Sequence, residues 1–178
     1  MAAGKTTVGR QLARALGLDF VDSDREVEKH CGVDIPTIFD YEGESGFRRR
    51  ERAIIAELTR RDGIVLATGG GAILDPDNRR DLAERGVVVY LATTVDEQLR
   101  RTHNDRGRPL LQKGDRRATL ERLLAERDPL YRATADLVVE TDRGRRRNTV
   151  DRILGRLAQC DRATPSRAAK HEHDDRQR

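Results

Sequence analysis

Short apolar runs alternate with longer amphipathic stretches along this chain, and that alternation constrains the fold more than any other feature. "GIVLAT" (63–68), "GVVVYLAT" (86–93) and "DLVVET" (136–141) are rich in Val and Leu and bounded by Gly, Asp and Thr. Runs of this length and composition read as strands. Their apolar residues are consecutive, as in strands buried on both faces of a parallel sheet. "DFVDSD" (19–24) reads as a fourth strand, ending in acids. Between the strands the period changes. From Lys5 to Leu16, Val8, Leu12, Ala13, Ala15 and Leu16 fall on one helical face, and Gly17 closes the helix. Glu26 to His30 is helical and ends at Gly32, and a long helix runs through "FRRRERAIIAELTRR" (47–61). Strand and helix in alternation predict an α/β fold, a parallel sheet with helices on both faces.

The chain has 178 residues, enough for one domain with a sizeable core. Aromatic residues make up only 3%, so the core must be built from Leu, Val, Ile and Ala. Charged residues make up 37%, yet the net charge is +4, because acids and bases are interspersed. A nucleic-acid binder gathers its bases on one face, so the expectation is no nucleic-acid partner. Nearly all the bases are Arg. GC-rich coding explains most of that bias, and Arg's planar fork for phosphate explains a few. No apolar run approaches the roughly 18 residues of a membrane span, and no secretory leader is visible. Cys31 and Cys160 form no C-x-x-C pair and read as free thiols. A cytoplasmic monomer without a membrane partner is expected. Residues 1–158 read as the domain and 159–178 as a disordered tail. Its "HEH" (171–173) reads as solvated, and His30 and His103 carry no assigned role.

Four groups of residues could carry chemistry. Gly4-Lys5-Thr6-Thr7 is the closing half of a phosphate-binding loop, G-x-x-x-x-G-K-[ST], set at a helix start. Unpaired backbone N–H groups and the helix dipole favour an anion there. Lys5 would meet the outer phosphates and Thr6 would ligate Mg²⁺. A plain helix start is the bland alternative, and the α/β pattern that follows favours the phosphate reading. Asp22 and Asp24 lie two apart at a strand end, where both carboxylates can project the same way. Taken alone they read better as helix caps, with Ser23 or Asp24 at the N-cap. Gly69, Gly70 and Gly71 follow a buried strand, where glycine lets backbone approach a ligand closely. Arg48, Arg108 and Arg132 stand out by context, Arg108 in the Gly/Pro-punctuated loop "DRGRPLL" (105–111).

In order, "GKTTVGRQLARALGLDFVDSDREVE", "IFDYEGESGFRRRE", "GIVLATGGGAI", "VVVYL", "RPLL" and "RDPLYRATADLVVET" together resemble the shikimate kinase family over residues 1–158. The resemblance implies a P-loop kinase fold of the nucleoside-monophosphate kinase type, with a five-stranded parallel sheet. It implies a substrate-binding region at about 25–52 and a lid at about 103–117. The implied activity is transfer of the ATP γ-phosphoryl to the 3-hydroxyl of shikimate, with one Mg²⁺, in chorismate and aromatic amino-acid synthesis. The implied ATP contacts are Ala3, Gly4, Lys5, Thr6, Thr7, Arg101, Arg108 and Arg143. The implied shikimate contacts are Asp24, Arg48, Gly69, Gly70, Gly71 and Arg132. Thr6 and Asp22 would hold the metal; Lys5, Asp24 and Arg108 would be catalytic.

The departure is at the start. The loop begins at Met1, with Ala2 where the family has Gly, and the loop's first Gly and the preceding strand are absent. In this fold that strand lies mid-sheet, between the strand at Phe20 and the one at Val87 or Val65. Its loss removes about five buried apolar side chains at about 2 kcal/mol each, against a total stability of about 5–15 kcal/mol. The expectation is therefore poor folding or poor ATP binding for the chain as written, and a natural start some ten or more residues upstream. The competing readings are an inactive homologue, a gluconate-type or nucleoside-monophosphate kinase, and a non-catalytic remnant that binds a partner or nucleic acid through its Arg.

Overall fold

The computed structural model describes residues 3–102, 115–141 and 146–163. In chain order the elements are α1 (Lys5–Leu16), β1 (Asp19–Asp22), α2 (Ser23–Cys31), α3 (Ile35–Leu58), β2 (Ile64–Ala67), a 3-10 turn (Ala72–Leu74), α4 (Pro76–Arg85), β3 (Val89–Ala92), α5 (Val95–Thr102), α6 (Arg116–Thr134), β4 (Leu137–Glu140) and α7 (Arg146–Ala163). All four strands read from the sequence are present. Side-chain caps set the helix starts: Asp34 accepts from the Thr37 N–H, Asp75 from those of Asp77 and Asn78, and Asp115 from those of Arg117 and Ala118. Inside α3 the helix breaks at Gly43, whose φ is +67°.

β1 pairs parallel to β2, with Phe20 opposite Val65, and β3 pairs parallel to β4, with Tyr90 opposite Val138. Among the described residues these stand as two separate two-stranded sheets. One apolar cluster bridges them: Ala3, Val8 and Leu12 at the start of the chain, Leu91 and Val139 from the second pair, and Val150 and Ile153 of α7, with Val65 of β2 packed against it. A second cluster joins Val21, Val27, Ile38, Phe47, Ile54 and Leu58 under α2 and α3. A cavity of about 100 Å³ runs from Ala3 and Lys5 at the start of α1, past Gly69 and Gly70, to Arg127 and Tyr131 of α6, with Val89 and Leu91 of β3 along one wall. Phe20 has Val65 as its direct neighbour, so no strand separates β1 from β2, one of the two positions considered from sequence.

Several boundaries differ from the sequence reading. Helix α3 begins at Ile35, well ahead of the stretch 47–61, because Asp34 caps it and Pro36 sits in its first turn, and Ser23 and Asp24, read as the end of a strand, open α2. Helix α7 continues to Ala163, past the expected end of the domain at 158. The sequence there offers no breaker before Thr164-Pro165, where the residue ahead of proline disfavours helix. Arg116 and Arg117, placed in the lid, open α6 instead, because Asp115 caps that helix. The rest of the lid, 103–114, and the tail from 164 lie outside the described residues.

Candidate active site

The phosphate end is built by one glycine. Gly4 has φ +86°, a conformation that side-chain-bearing residues rarely adopt, and it turns the chain into α1. No side chain caps this helix. The first-turn N–H groups, including those of Lys5, Thr6 and Thr7, therefore have no partner within the helix and sit at the positive end of its dipole. The Thr6 hydroxyl donates to Asp22 Oδ2 at 3.3 Å, across from α1 to the end of β1. Asp22 Oδ1 accepts from the Asp24 N–H at 3.2 Å. Asp22 is thus the cap of α2, in place of the Ser23 or Asp24 considered from sequence, and it meets Thr6 as well. Among the described residues no group of three or more His, Cys, Asp or Glu gathers as a metal cluster. One hydroxyl and one carboxylate oxygen side by side fit Mg²⁺, a hard ion that keeps waters and takes its other ligands from phosphates. Arg101 lies beside the loop: a Cβ on Gly4 would come within 3.9 Å of its Nη1. Its guanidinium is braced by Glu97 at 2.7 Å and by the Thr141 carbonyl at 3.0 Å. Arg108 and Arg143 lie outside the described residues.

The second end lies where β1 and β2 finish, since their parallel pairing brings Asp22 opposite Ala67. There the glycine turn meets Asp24, Arg48 and Glu51. A Cβ on Gly69 would lie 2.7 Å from both Asp24 Oδ1 and Glu51 Oε1, and one on Gly71 would lie 2.2 Å from Arg48 Nη2. A side chain at either position would have to displace these carboxylate and guanidinium ends from the turn. Arg48 is tied to Glu51 at 2.6 Å and to Glu44 at 3.0 Å. Glu51 is 1% exposed, and its Oε1 has no hydrogen-bond partner. Burial raises the Glu51 carboxyl above its ordinary range, against the pull of Arg48. Burial, and after it the Asp22 charge, raises the Asp24 carboxyl too, while Lys5 draws it down. Asp24 is thereby better matched to accept a proton than an exposed aspartate. The Gly69 N–H donates to the buried Ser23 hydroxyl at 3.2 Å. Gly70 and Gly71 keep N–H groups with no partner among the described residues.

Arg132 does not join them. Its guanidinium is held by Asp128 at 2.7 Å, and its side chain is 54% exposed. Arg127, on the buried face of the same helix, reaches the Gly70 carbonyl from Nη1 at 3.2 Å. It is 7% exposed, and its Nε is buried without an acceptor. Sequence reading passed over Arg127, Glu51 and Tyr131, whose hydroxyl also donates to the Gly70 carbonyl at 2.5 Å. Helical spacing carried the signal: Leu120, Leu123 and Arg127 share the buried face of α6, and Tyr131 follows Arg127 by four.

A phosphate loop and a glycine turn ringed by two arginines and two acids therefore occupy one edge of a parallel α/β scaffold. The shikimate kinase family model matches residues 1–158. The chain belongs to the shikimate kinase family. It is 61% identical over 157 residues to the shikimate kinase of Halorhodospira halophila, covering 88% of this chain and 89% of that one. It is 58% identical over 154 residues to that of Methylococcus capsulatus, covering 86% of each. Among solved structures, the shikimate kinase from Acinetobacter baumannii in complex with shikimate superposes with a TM-score of 0.88 at 51% identity, over 90% of both chains. The fold is thus the P-loop kinase fold, and the chain is an ATP-dependent kinase by family.

Proposed function

We propose that this chain transfers the γ-phosphoryl group of ATP to the 3-hydroxyl of shikimate, giving shikimate 3-phosphate and ADP, as a step of chorismate and aromatic amino-acid synthesis. One observation carries the reading. Asp24, Arg48 and Arg127 converge on the glycine turn at the mouth of the β1–β2 pair, close enough that a Cβ on Gly69 or Gly71 would collide with Asp24 or Arg48. Shikimate carries one carboxylate and three hydroxyls. Arginine forks suit the carboxylate, and Asp24 suits a hydroxyl. The Acinetobacter relative, described with shikimate bound, supports that substrate.

In this reading Arg48 and Arg127 hold the carboxylate, and Arg127 takes the place given to Arg132 from sequence. The Gly70 and Gly71 N–H groups, without partners among the described residues, bind substrate oxygens. Asp24 accepts the 3-hydroxyl proton as the new O–P bond forms and the bond from the γ-phosphorus to the β–γ bridging oxygen breaks. Such a transfer asks mainly for positioning and charge neutralisation. Gly4 to Thr7 cradle the phosphates, Lys5 meets the outer ones, and Arg101 borders the adenine side. Thr6 and Asp22 would hold one Mg²⁺, which supplies charge neutralisation at the phosphates when bound. Arg108 and Arg143 would complete the ATP contacts from the lid and the adenine-side loop. The chain would work as a cytoplasmic monomer. Large exposed apolar residues are few among the described residues, and no helix there is long and apolar enough to cross a membrane.

The test is ADP release by the purified chain with Mg·ATP, with shikimate, gluconate or AMP as acceptor. Release that depends on shikimate and stops with EDTA is expected. Release with gluconate or AMP and not with shikimate would overturn the substrate assignment.

A further inference from the structure

The Gly70 carbonyl accepts two hydrogen bonds from α6, one from the Tyr131 hydroxyl at 2.5 Å and one from Arg127 Nη1 at 3.2 Å. The donors lie one helical turn apart, so the helix presents both to a single oxygen. The Tyr131 ring is itself fixed. It stacks on Tyr90 of β3, with centroids 4.7 Å apart and planes 22° apart. The Tyr90 hydroxyl donates to Asp128 Oδ1 at 2.9 Å, and Arg132 holds the other oxygen of that carboxylate at 2.7 Å. The exposed Arg132 thus belongs to a brace that runs through Asp128 and Tyr90 to Tyr131. Burial pushes the Tyr131 hydroxyl above its ordinary value, so it stays a donor.

A trans peptide is planar, and its C=O and N–H point in opposite directions. Anchoring the Gly70 carbonyl on α6 therefore turns the Gly71 N–H away from α6. That N–H has no partner among the described residues, and Gly71 lies against the Arg48 guanidinium. The second consequence concerns Arg127. With Tyr131 satisfying the carbonyl at the shorter distance, Arg127 is left as the weaker of the two donors there, with a buried Nε still lacking an acceptor.

We propose that Tyr131 is a positioning residue for the substrate site: its hydroxyl fixes the Gly70–Gly71 peptide so that the Gly71 N–H faces substrate, and frees Arg127 to turn to the substrate carboxylate. This rests on the shikimate reading of the same cleft. Tyr131→Phe in the full chain is the test, because it removes the hydroxyl and keeps the ring stacked on Tyr90. The KM for shikimate should rise about tenfold, the scale of one buried hydrogen bond. The KM for ATP and kcat should stay within about twofold. An unchanged shikimate KM, or equal losses in the ATP and shikimate constants, would overturn the proposal. A ligand-free readout separates it from the substrate reading. The amide nitrogen of Gly71 shares a peptide with the anchored carbonyl, so its NMR resonance should move in the variant more than any amide outside 68–75. A stationary Gly71 resonance overturns the anchoring, even if shikimate turnover is confirmed. A Gly71 shift in a chain with no shikimate-dependent turnover would uphold the anchoring while the substrate reading fails.

Discussion

Arg127 and Arg132 lie on the same helix and have opposite environments, one buried against the glycine turn and the other exposed on Asp128. A lysine cannot reproduce a guanidinium fork at a buried anion site. Arg127→Lys should raise the KM for shikimate on the order of 100-fold, the scale of a buried, hydrogen-bonded charge lost from a complex. Arg132→Lys should change it by no more than about threefold, since an exposed ion pair contributes little. Steady-state kinetics on the two variants checks this, and equal effects would return the role to Arg132. At this scale sequence legibility was uneven. Lys5, Thr6, Asp22, Asp24, Arg48 and the three glycines lie in short motifs, and the structure brings them together. Arg127 lies one residue before "DPLY" in a chain crowded with Arg, so only the helical face of α6 distinguishes it. Glu51 looked like one more charge in "FRRRERAII", and its importance comes from burial.

The helices are set by their caps, and one cap gives a titration. Asp34 Oδ1 accepts from the Thr37 N–H at 3.0 Å and from its hydroxyl at 2.5 Å. These bonds hold the Asp34 carboxyl below its ordinary value of 3.8. A depressed folded-state pKa contributes stability that is fully present above the unfolded value and lost as pH falls through the folded one. Asp34→Asn keeps an acceptor at the N-cap and removes the titration. The stability of wild type relative to this variant should be constant above about pH 4 and shrink at lower pH. Urea midpoints across that range measure it, and a difference that grows on acidification would contradict the cap geometry. The start of α3 escaped the sequence reading, because its Asp34 cap and Pro36 lie well ahead of the charged stretch at 47–61 that read as the helix. Strands were legible because apolar runs mark them locally. Ends were less so: α7 outlasts the periodic apolar pattern because nothing before Pro165 stops it.

At the scale of the molecule, the described strands form two separate parallel pairs. β1 pairs with β2 and β3 with β4, and among the described residues no ladder joins the two pairs. Unpaired inner strand edges leave backbone donors and acceptors unsatisfied. An added strand, apolar on both faces and fused ahead of Ala3, should join the two pairs. It should raise both the urea midpoint and the m-value, because more surface becomes buried on folding. An unchanged midpoint would mean that the two pairs do not take a strand between them. The parallel α/β class was legible because burial on both faces leaves consecutive apolar residues. The separation of the two pairs is a matter of pairing between distant segments, and here the expectation came from the family's five-stranded pattern.

The central claim is that the cleft between the phosphate loop and the glycine turn holds shikimate with its 3-hydroxyl at Asp24. Phosphorus NMR of the product formed from shikimate and Mg·ATP, with proton couplings to the ring, tests this most directly. The account predicts a single phosphate ester, on the 3-oxygen. A phosphate on another hydroxyl, or inorganic phosphate with shikimate left unmodified, would contradict it.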